Sequence, residues 1–91
     1  MSSYALVTTV ASGAASVSLI AANDHRRGLI IANNDTGILH VDLSGGTATA
    51  TTANSFQLAT LTHQVLDGYK GPATGIWSSQ GAGSAQITEL M

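Results

Sequence analysis

The chain contains no cysteine, so neither a disulfide framework nor a thiolate metal site is available to it. Charge is also scarce, since Asp, Glu, Lys and Arg make up 9% of the residues and the formal net charge is −2. The cationic residues are Arg26, Arg27 and Lys70, too few for the basic surface that binds nucleic acid. No apolar run approaches the ~18 residues of a membrane span, and no Lys or Arg precedes the apolar N-terminal segment. We therefore expect a soluble protein with no export signal, no nucleic-acid partner and no membrane partner.

Aromatic side chains are few as well, and the sequence has only Tyr4, Phe56, Tyr69 and Trp77. The apolar fraction is an ordinary 44%, but much of it is alanine, which buries little area per residue. A small chain that cannot fill a deep core often gains stability by covering surface with a partner. Its hydroxyl and amide side chains are less expensive to desolvate than Lys and Glu. We predict one domain, residues 1–91, that forms an oligomer or joins an assembly; a plain polar surface on a β domain is the alternative.

What the sequence does contain is a series of short segments rich in Val, Ile, Leu and Thr, each bounded by Gly, Asn, Asp or Ser. In YALVTTV and SVSLIAAN the apolar positions alternate with a period of two, as in a half-buried strand. No window keeps a helical period. The pattern predicts an all-β fold, a compact antiparallel β-sandwich of seven or eight short strands, with jelly-roll wiring as one option.

Two hairpins are predicted within this pattern. GLIIAN, apolar on both faces, is expected to be a central strand covered on both sides, joined through NDTG to the return strand ILHVDLS. That return strand should point Leu39, Val41 and Leu43 inward and His40, Asp42 and Ser44 outward. A second hairpin should pair GIWSSQ with AQITEL, while residues 45–54 form a loop with a short extended piece.

Catalytic and metal-binding patterns are weak. His25, His40 and His63 lie in three different segments, and a zinc site needs three or four converging ligands. His40 and Asp42 share a strand face, which predicts a solvent-facing polar pair more strongly than a weak metal contact. No serine lies in a nucleophile elbow, and no Ser-His-Asp order is recognisable. The sequence therefore predicts no enzyme activity, no cofactor and no metal.

Four residues are candidates for an interface. Arg26 and Arg27 are adjacent and should point to opposite faces, so that one pairs with an acid while the other reaches outward. Together they could grip a carboxylate or backbone carbonyls of a partner subunit, or they could simply be polar flanks of a hydrophobic strand. Tyr69 and Trp77 flank a glycine-rich connection and could anchor a contact, although Trp77 beside Ile76 favours a core position.

Three segments, RRGLIIANN, DGYKGPATGIW and AQITEL, resemble a set of small proteins encoded among the structural genes of tailed bacteriophages and prophages. The resemblance covers roughly residues 15–90. It implies a virion component assembled in the host cytoplasm, and the best-fitting role is a capsid decoration (cement) protein. Such a protein is a small β domain, often a trimer, that stabilises the head by binding the major capsid protein.

A binding module on a tail or head fibre that recognises host carbohydrate is the alternative. Such a site would need exposed aromatic and amide side chains, and the sequence could offer only Tyr4, Tyr69 and Trp77. An exposed Trp77 would favour this alternative, whereas a buried Trp77 would not.

Overall fold

The computed structural model describes residues 4–13, 15–48, 55–78 and 83–91. These residues form an all-β structure without a helix, as the alternating segments predict. No helix among them could cross a membrane. The eight strands found in this part of the chain are β1 Ala5–Ala11, β2 Val17–Ile20, β3 Gly28–Asn33, β4 Leu39–Asp42, β5 Phe56–Leu58, β6 His63–Asp67, β7 Ala73–Trp77 and β8 Ser84–Leu90.

The strands form two antiparallel four-stranded sheets that pack in a sandwich-like arrangement. The first has the order β1-β8-β3-β6 and the second the order β2-β7-β4-β5. Of the connections between consecutive strands, only that from β4 to β5 stays within a sheet, and the others cross from one sheet to the other. Pairing is therefore mostly between strands that are distant in the sequence.

Both predicted hairpins are wrong. β3 lies in the first sheet and β4 in the second, and β7 and β8 are likewise in different sheets. The alternation correctly identified the core-facing residues, because Leu39 and Val41 are fully buried. A hairpin and a crossover between packed sheets require the same alternation, so the pattern could not distinguish them. The turn residues were equally ambiguous, because Asn33 caps this crossover with a bond from Nδ2 to the Gly37 carbonyl.

The pairings follow a simple rule. β1 pairs with β8, β2 with β7, β3 with β6 and β4 with β5, all antiparallel. The first four strands thus pair with the last four in reverse order, so the chain runs as one long two-stranded ribbon that folds back at the β4–β5 connection. Two further pairings, β3 with β8 and β4 with β7, close the ribbon into the two sheets.

The core lies between the two inner faces. Its fully or nearly fully buried apolar side chains are Leu19, Leu29, Ile31, Leu39, Val41, Leu58, Ala73, Trp77, Ala85 and Ile87. Gly75 of β7 leaves room for this packing, because a Cβ atom there would lie 2.9 Å from the terminal methyls of both Leu19 and Leu39. Dense packing of this kind tolerates little added volume.

Two further expectations need correction. β3 is an interior strand, but it is covered fully on one face only, because Ile30 and Ala32 on the other face are half-buried. His40 and Asp42 are not solvent-facing, since each is 5% exposed. The chain after β4 folds back across the outer face of the second sheet, where the Gly46 carbonyl accepts a bond from Thr74 Oγ1 at 2.8 Å. Positions 49–54 of the predicted loop lie outside the described residues.

Candidate assembly interface

Arg26 lies in the connection between β2 and β3, and its side chain is completely buried. Its Nε donates to the Tyr69 carbonyl at 3.1 Å, and Nη2 donates to the Gly71 carbonyl at 2.5 Å. Nη1 lies 3.3 Å from the Ala21 carbonyl and 3.0 Å from Glu89 Oε2. Every guanidinium nitrogen therefore has an acceptor, as a buried cation requires.

Glu89 supplies the compensating negative charge from the inner face of β8, where it is 8% exposed. Its Oε2 also accepts a hydrogen bond from Asn23 Nδ2 at 3.2 Å. Removing one partner of such a buried pair leaves an uncompensated charge and typically costs about 3–5 kcal/mol. We call Arg26, Glu89, Asn23 and residues 69–71 the Arg26 cluster.

The glycine-rich connection between β6 and β7 wraps around Arg26. Besides the two carbonyls that Arg26 contacts, Lys70 donates from Nζ to the Arg26 carbonyl at 2.5 Å. The Lys70 carbonyl in turn accepts from the Asn23 backbone N–H at 2.8 Å. This connection is therefore fixed by backbone and side-chain bonds within the chain.

The Tyr69 hydroxyl is half-buried beneath this connection. It lies 2.5 Å from the Pro72 carbonyl and 3.0 Å from the Leu43 carbonyl, so its single proton can serve either acceptor. Burial raises the pKa of the Tyr69 phenol above its ordinary value, an effect that the nearby Arg26 charge partly opposes. The hydroxyl is thus a structural donor rather than an acid.

Arg27 has the opposite environment to Arg26, as two adjacent residues at a strand entrance should. Its side chain is exposed, and Nε donates to the Met91 carbonyl at 2.8 Å. Its backbone joins both neighbouring strands, because N–H donates to the Leu90 carbonyl and C=O accepts from Gly68. Of the two arginines, Arg27 is the one that a partner could reach.

Trp77 is 2% exposed and belongs to the core. Its indole Nε1 donates to Asn33 Oδ1 at 3.0 Å, and Asn33 is itself completely buried. The Asn33 side chain also donates to the Leu58 carbonyl and accepts from the Asp35 N–H, so its hydrogen-bonding capacity is fully used. A buried indole offers no stacking surface, which counts against the carbohydrate-binding alternative.

Among the sequence candidates, the structure therefore brings Arg26 and Tyr69 together, and it places Arg27 and Trp77 elsewhere. Sequence reasoning missed Glu89 and Asn33, which complete the two buried polar clusters. A signal existed in both cases. Glu89 continues the apolar face of Ala85 and Ile87, and Asn33 continues that of Leu29 and Ile31, so each is a polar residue at a core position.

The ring of His40 is a different kind of buried polar group. Among the described residues, neither of its nitrogens has a hydrogen-bond partner. The residues directly opposite His40 are Gln57 on β5 and Ile76 on β7. The described part of the chain contains no group of three or more His, Cys, Asp or Glu side chains that could hold a metal ion.

Exposed apolar side chains lie on the outer face of the first sheet. One row crosses it from Val7 through Thr88 and Ile30 to Val65, and each adjacent pair lies directly opposite in the register. Val7 is 63% exposed and Val65 is 49% exposed. Within the described residues, the outer faces of β1, β8 and β3 carry no Lys, Arg, Asp or Glu. The outer face of β6, at the edge of the sheet, carries Asp67 opposite Gly28. We call the outer faces of β1, β8 and β3 the uncharged face.

Comparison of the chain with protein-family models, with curated proteins and with solved structures finds no match.

Proposed function

We propose that this protein is a non-enzymatic structural component of a phage virion, a capsid decoration protein that stabilises the head by binding the major capsid protein. The observation that carries the proposal is the uncharged face. A sheet surface of Val, Ile, Thr and Gln side chains loses little solvation when a partner covers it. It therefore suits a broad and close contact with a shell.

The distribution of charge supports the same role. The Arg26–Glu89 pair is used inside the protomer, with side-chain exposures of 0% and 10%. Arg27 and Lys70 lie at that same end of the sandwich, beside the Leu90–Met91 terminus and the β6–β7 connection. The chain thus keeps its cations at one end and leaves the uncharged face clear for contact.

The three segments that resemble phage structural proteins meet in the Arg26 cluster. RRGLIIANN contributes Arg26, DGYKGPATGIW contributes the carbonyls of Tyr69 and Gly71, and AQITEL contributes Glu89. We interpret this shared pattern as the signature of a fold rather than of a binding site. On this basis the hydrogen bonds of Arg26 stabilise the subunit itself, and the uncharged face binds the shell.

We also interpret the strand order as jelly-roll wiring. The long ribbon folded back between β4 and β5 and rolled into two sheets is how an eight-stranded jelly roll is built. This architecture suits a small shell component, since it presents a broad sheet face on each side. Many modest contacts, repeated over a closed shell, would together resist internal pressure.

Isolation of phage particles tests the role directly. The protein should co-purify with intact heads in a fixed copy number relative to the shell subunit, measured by quantitative mass spectrometry. Its absence from purified particles would refute the proposal.

A matched pair of variants tests the proposed surface. Thr88→Lys places a charge in the middle of the uncharged face, and Gln57→Lys places the same charge on the outer face of the second sheet. We expect Thr88→Lys to reduce the copy number on particles several-fold and Gln57→Lys to leave it unchanged. Equal incorporation of both variants would show that the uncharged face is not the contact.

A further inference from the structure

The first sheet has one edge that lacks the usual protection. β1 pairs only with β8 among the described strands, so none of them covers its other side. Six of its seven residues are exposed, including Leu6 at 45% and Val7 at 63%. Both faces and one edge of this strand therefore contact solvent.

The other three sheet edges are protected in ways that natural proteins commonly use. β6 has His63 and Asp67 at its ends, and β5 is only three residues long. β2 has four residues and a register shift between Ser18 and Ile20. By contrast β1 is seven residues long, regular, and free of charge and proline. Such an edge is a template for pairing with another strand.

The hydrogen bonds of β1 show which backbone groups face outward. The Tyr4 carbonyl accepts from Met91 and the Ser12 N–H donates to Gly83, so even-numbered residues face β8. Along a strand, the N–H and C=O of one residue point the same way and successive residues alternate. Ala5, Val7, Thr9 and Ala11 therefore present their N–H and C=O groups at the open edge. The regular register between β1 and β8 supports this assignment over the whole strand.

We propose that the open edge of β1 pairs with β1 of a second copy of this chain, antiparallel, about a two-fold axis that passes beside Thr8. Antiparallel hydrogen-bonded pairs must join outward-facing residues of both strands. Centring on Thr8 places Val7 opposite Thr9 and Ala5 opposite Ala11, and this register uses every outward-facing residue of the strand. The two first sheets then become one continuous eight-stranded sheet.

A second copy is the occupant that the side chains favour. A two-fold axis perpendicular to the sheet keeps equivalent faces on the same side, so Leu6 would meet Val10 and Val7 would meet Thr9. These are apolar and β-branched cross-strand pairs, which stabilise sheets. Because β1 carries no charge, the strand does not repel its own copy. The inference refines the assembly role proposed above and rests on it only for the expectation of self-association.

Proline substitution provides a matched test of the edge. Val7→Pro removes an outward N–H and leaves the bonds to β8 in place, and by symmetry that N–H would be used twice in the pair. We expect association to weaken by about 30-fold, as the loss of two hydrogen bonds implies. Val65→Pro is the control on the opposite edge, because the Thr62 carbonyl and the Gly68 N–H face β3 and Val65 therefore faces outward. The masses in solution would be measured by analytical ultracentrifugation over a range of concentrations.

At concentrations above the wild-type dissociation constant and below the one that is about 30-fold larger, the wild-type chain and Val65→Pro should be mostly pairs, and Val7→Pro should be mostly single chains. A wild-type mass of one chain at every concentration would overturn the proposal, as would a loss of the pair in Val65→Pro alone. A mass of three chains would overturn the two-fold pairing and leave the capsid role standing. Conversely, a two-chain protein that is missing from particles would refute the capsid role and leave the pairing intact.

A charge swap tests the register without relying on proline. Thr8→Lys places two like charges across the axis, and Thr8→Glu does the same with the opposite sign. Each variant alone should be mostly a single chain at low salt, and an equimolar mixture should form the mixed pair. Thr8 is exposed, so an added charge at this position can reach solvent, although Thr8 lies opposite the buried Ile87. Failure of the mixture to associate, with both variants folded by circular dichroism, would exclude the register centred on Thr8.

Discussion

β1 and β8 are neighbours of equal length, paired residue by residue, yet their environments differ sharply. β8 alternates between half-buried and buried positions over its whole length, whereas six of the seven β1 residues are exposed. Both strands alternate in sequence and both are nearly uncharged. The difference comes from position, because β8 lies between β1 and β3, whereas β1 has a neighbour on one side only among the described strands. Alternation thus indicates that a segment is a strand, and the sheet order decides whether that strand is covered.

The largest effect should come from breaking the charged pair at the end of β8. Glu89→Ala leaves the Arg26 guanidinium buried without its counter-charge, and we expect the free energy of unfolding to fall by about 3–5 kcal/mol. Leu6 lies directly opposite Glu89 in β1 and is 45% exposed. Leu6→Ala should therefore lower the free energy of unfolding by about 1 kcal/mol or less. Urea unfolding measures both. Similar losses of unfolding free energy in the two variants would contradict the difference in burial between β1 and β8.

A second pair of variants tests the middle of the same two strands. Ile87 is completely buried, and Ile87→Ala should reduce the free energy of unfolding by roughly 2–5 kcal/mol through lost burial and the cavity left behind. Its direct partner Thr8 is exposed, so Thr8→Ala should change stability by about 0.5 kcal/mol or less. Thermal unfolding at several protein concentrations separates a change in the fold from a change in association. A large loss from Thr8→Ala in the single chain would mean that β1 is covered within the protomer.

A similarly small effect is expected for Arg27, whose side chain is exposed. Arg27→Ala removes a bond from Nε to the Met91 carbonyl at the surface, which should change the free energy of unfolding by roughly 0.5 kcal/mol. Arg26→Ala, one residue earlier, should instead destabilise the chain severely, because Glu89 would lose its buried partner. Comparable stability of the two variants by urea unfolding would show that the Arg26 cluster does not hold the fold.

The candidate site was only partly predictable. The adjacent arginines were expected to diverge, with one pairing with an acid, and Arg26 and Arg27 do so. The acid was not identified, because Glu89 lies 63 positions from Arg26 in the sequence and local patterns cannot reach that far. His40 and Asp42 were placed on the outer face of β4 as solvent-facing, but both are buried, and a later segment contacts that face at Thr74. Side-chain periodicity says which way a residue points and says nothing about what covers it.

The sequence by itself determined the fold class, most of the strands and the core face of β4, because a period of two and flanking turn residues are local properties. It also excluded a disulfide framework through the absence of cysteine. The tertiary structure alone decided that β3 and β4, and also β7 and β8, cross between sheets rather than forming hairpins. It alone decided that Arg26 is enclosed and that β1 has one edge unpaired by any described strand. These outcomes depend on contacts between residues far apart in the chain, where the competing arrangements share the same local pattern and differ only in which apolar surfaces meet.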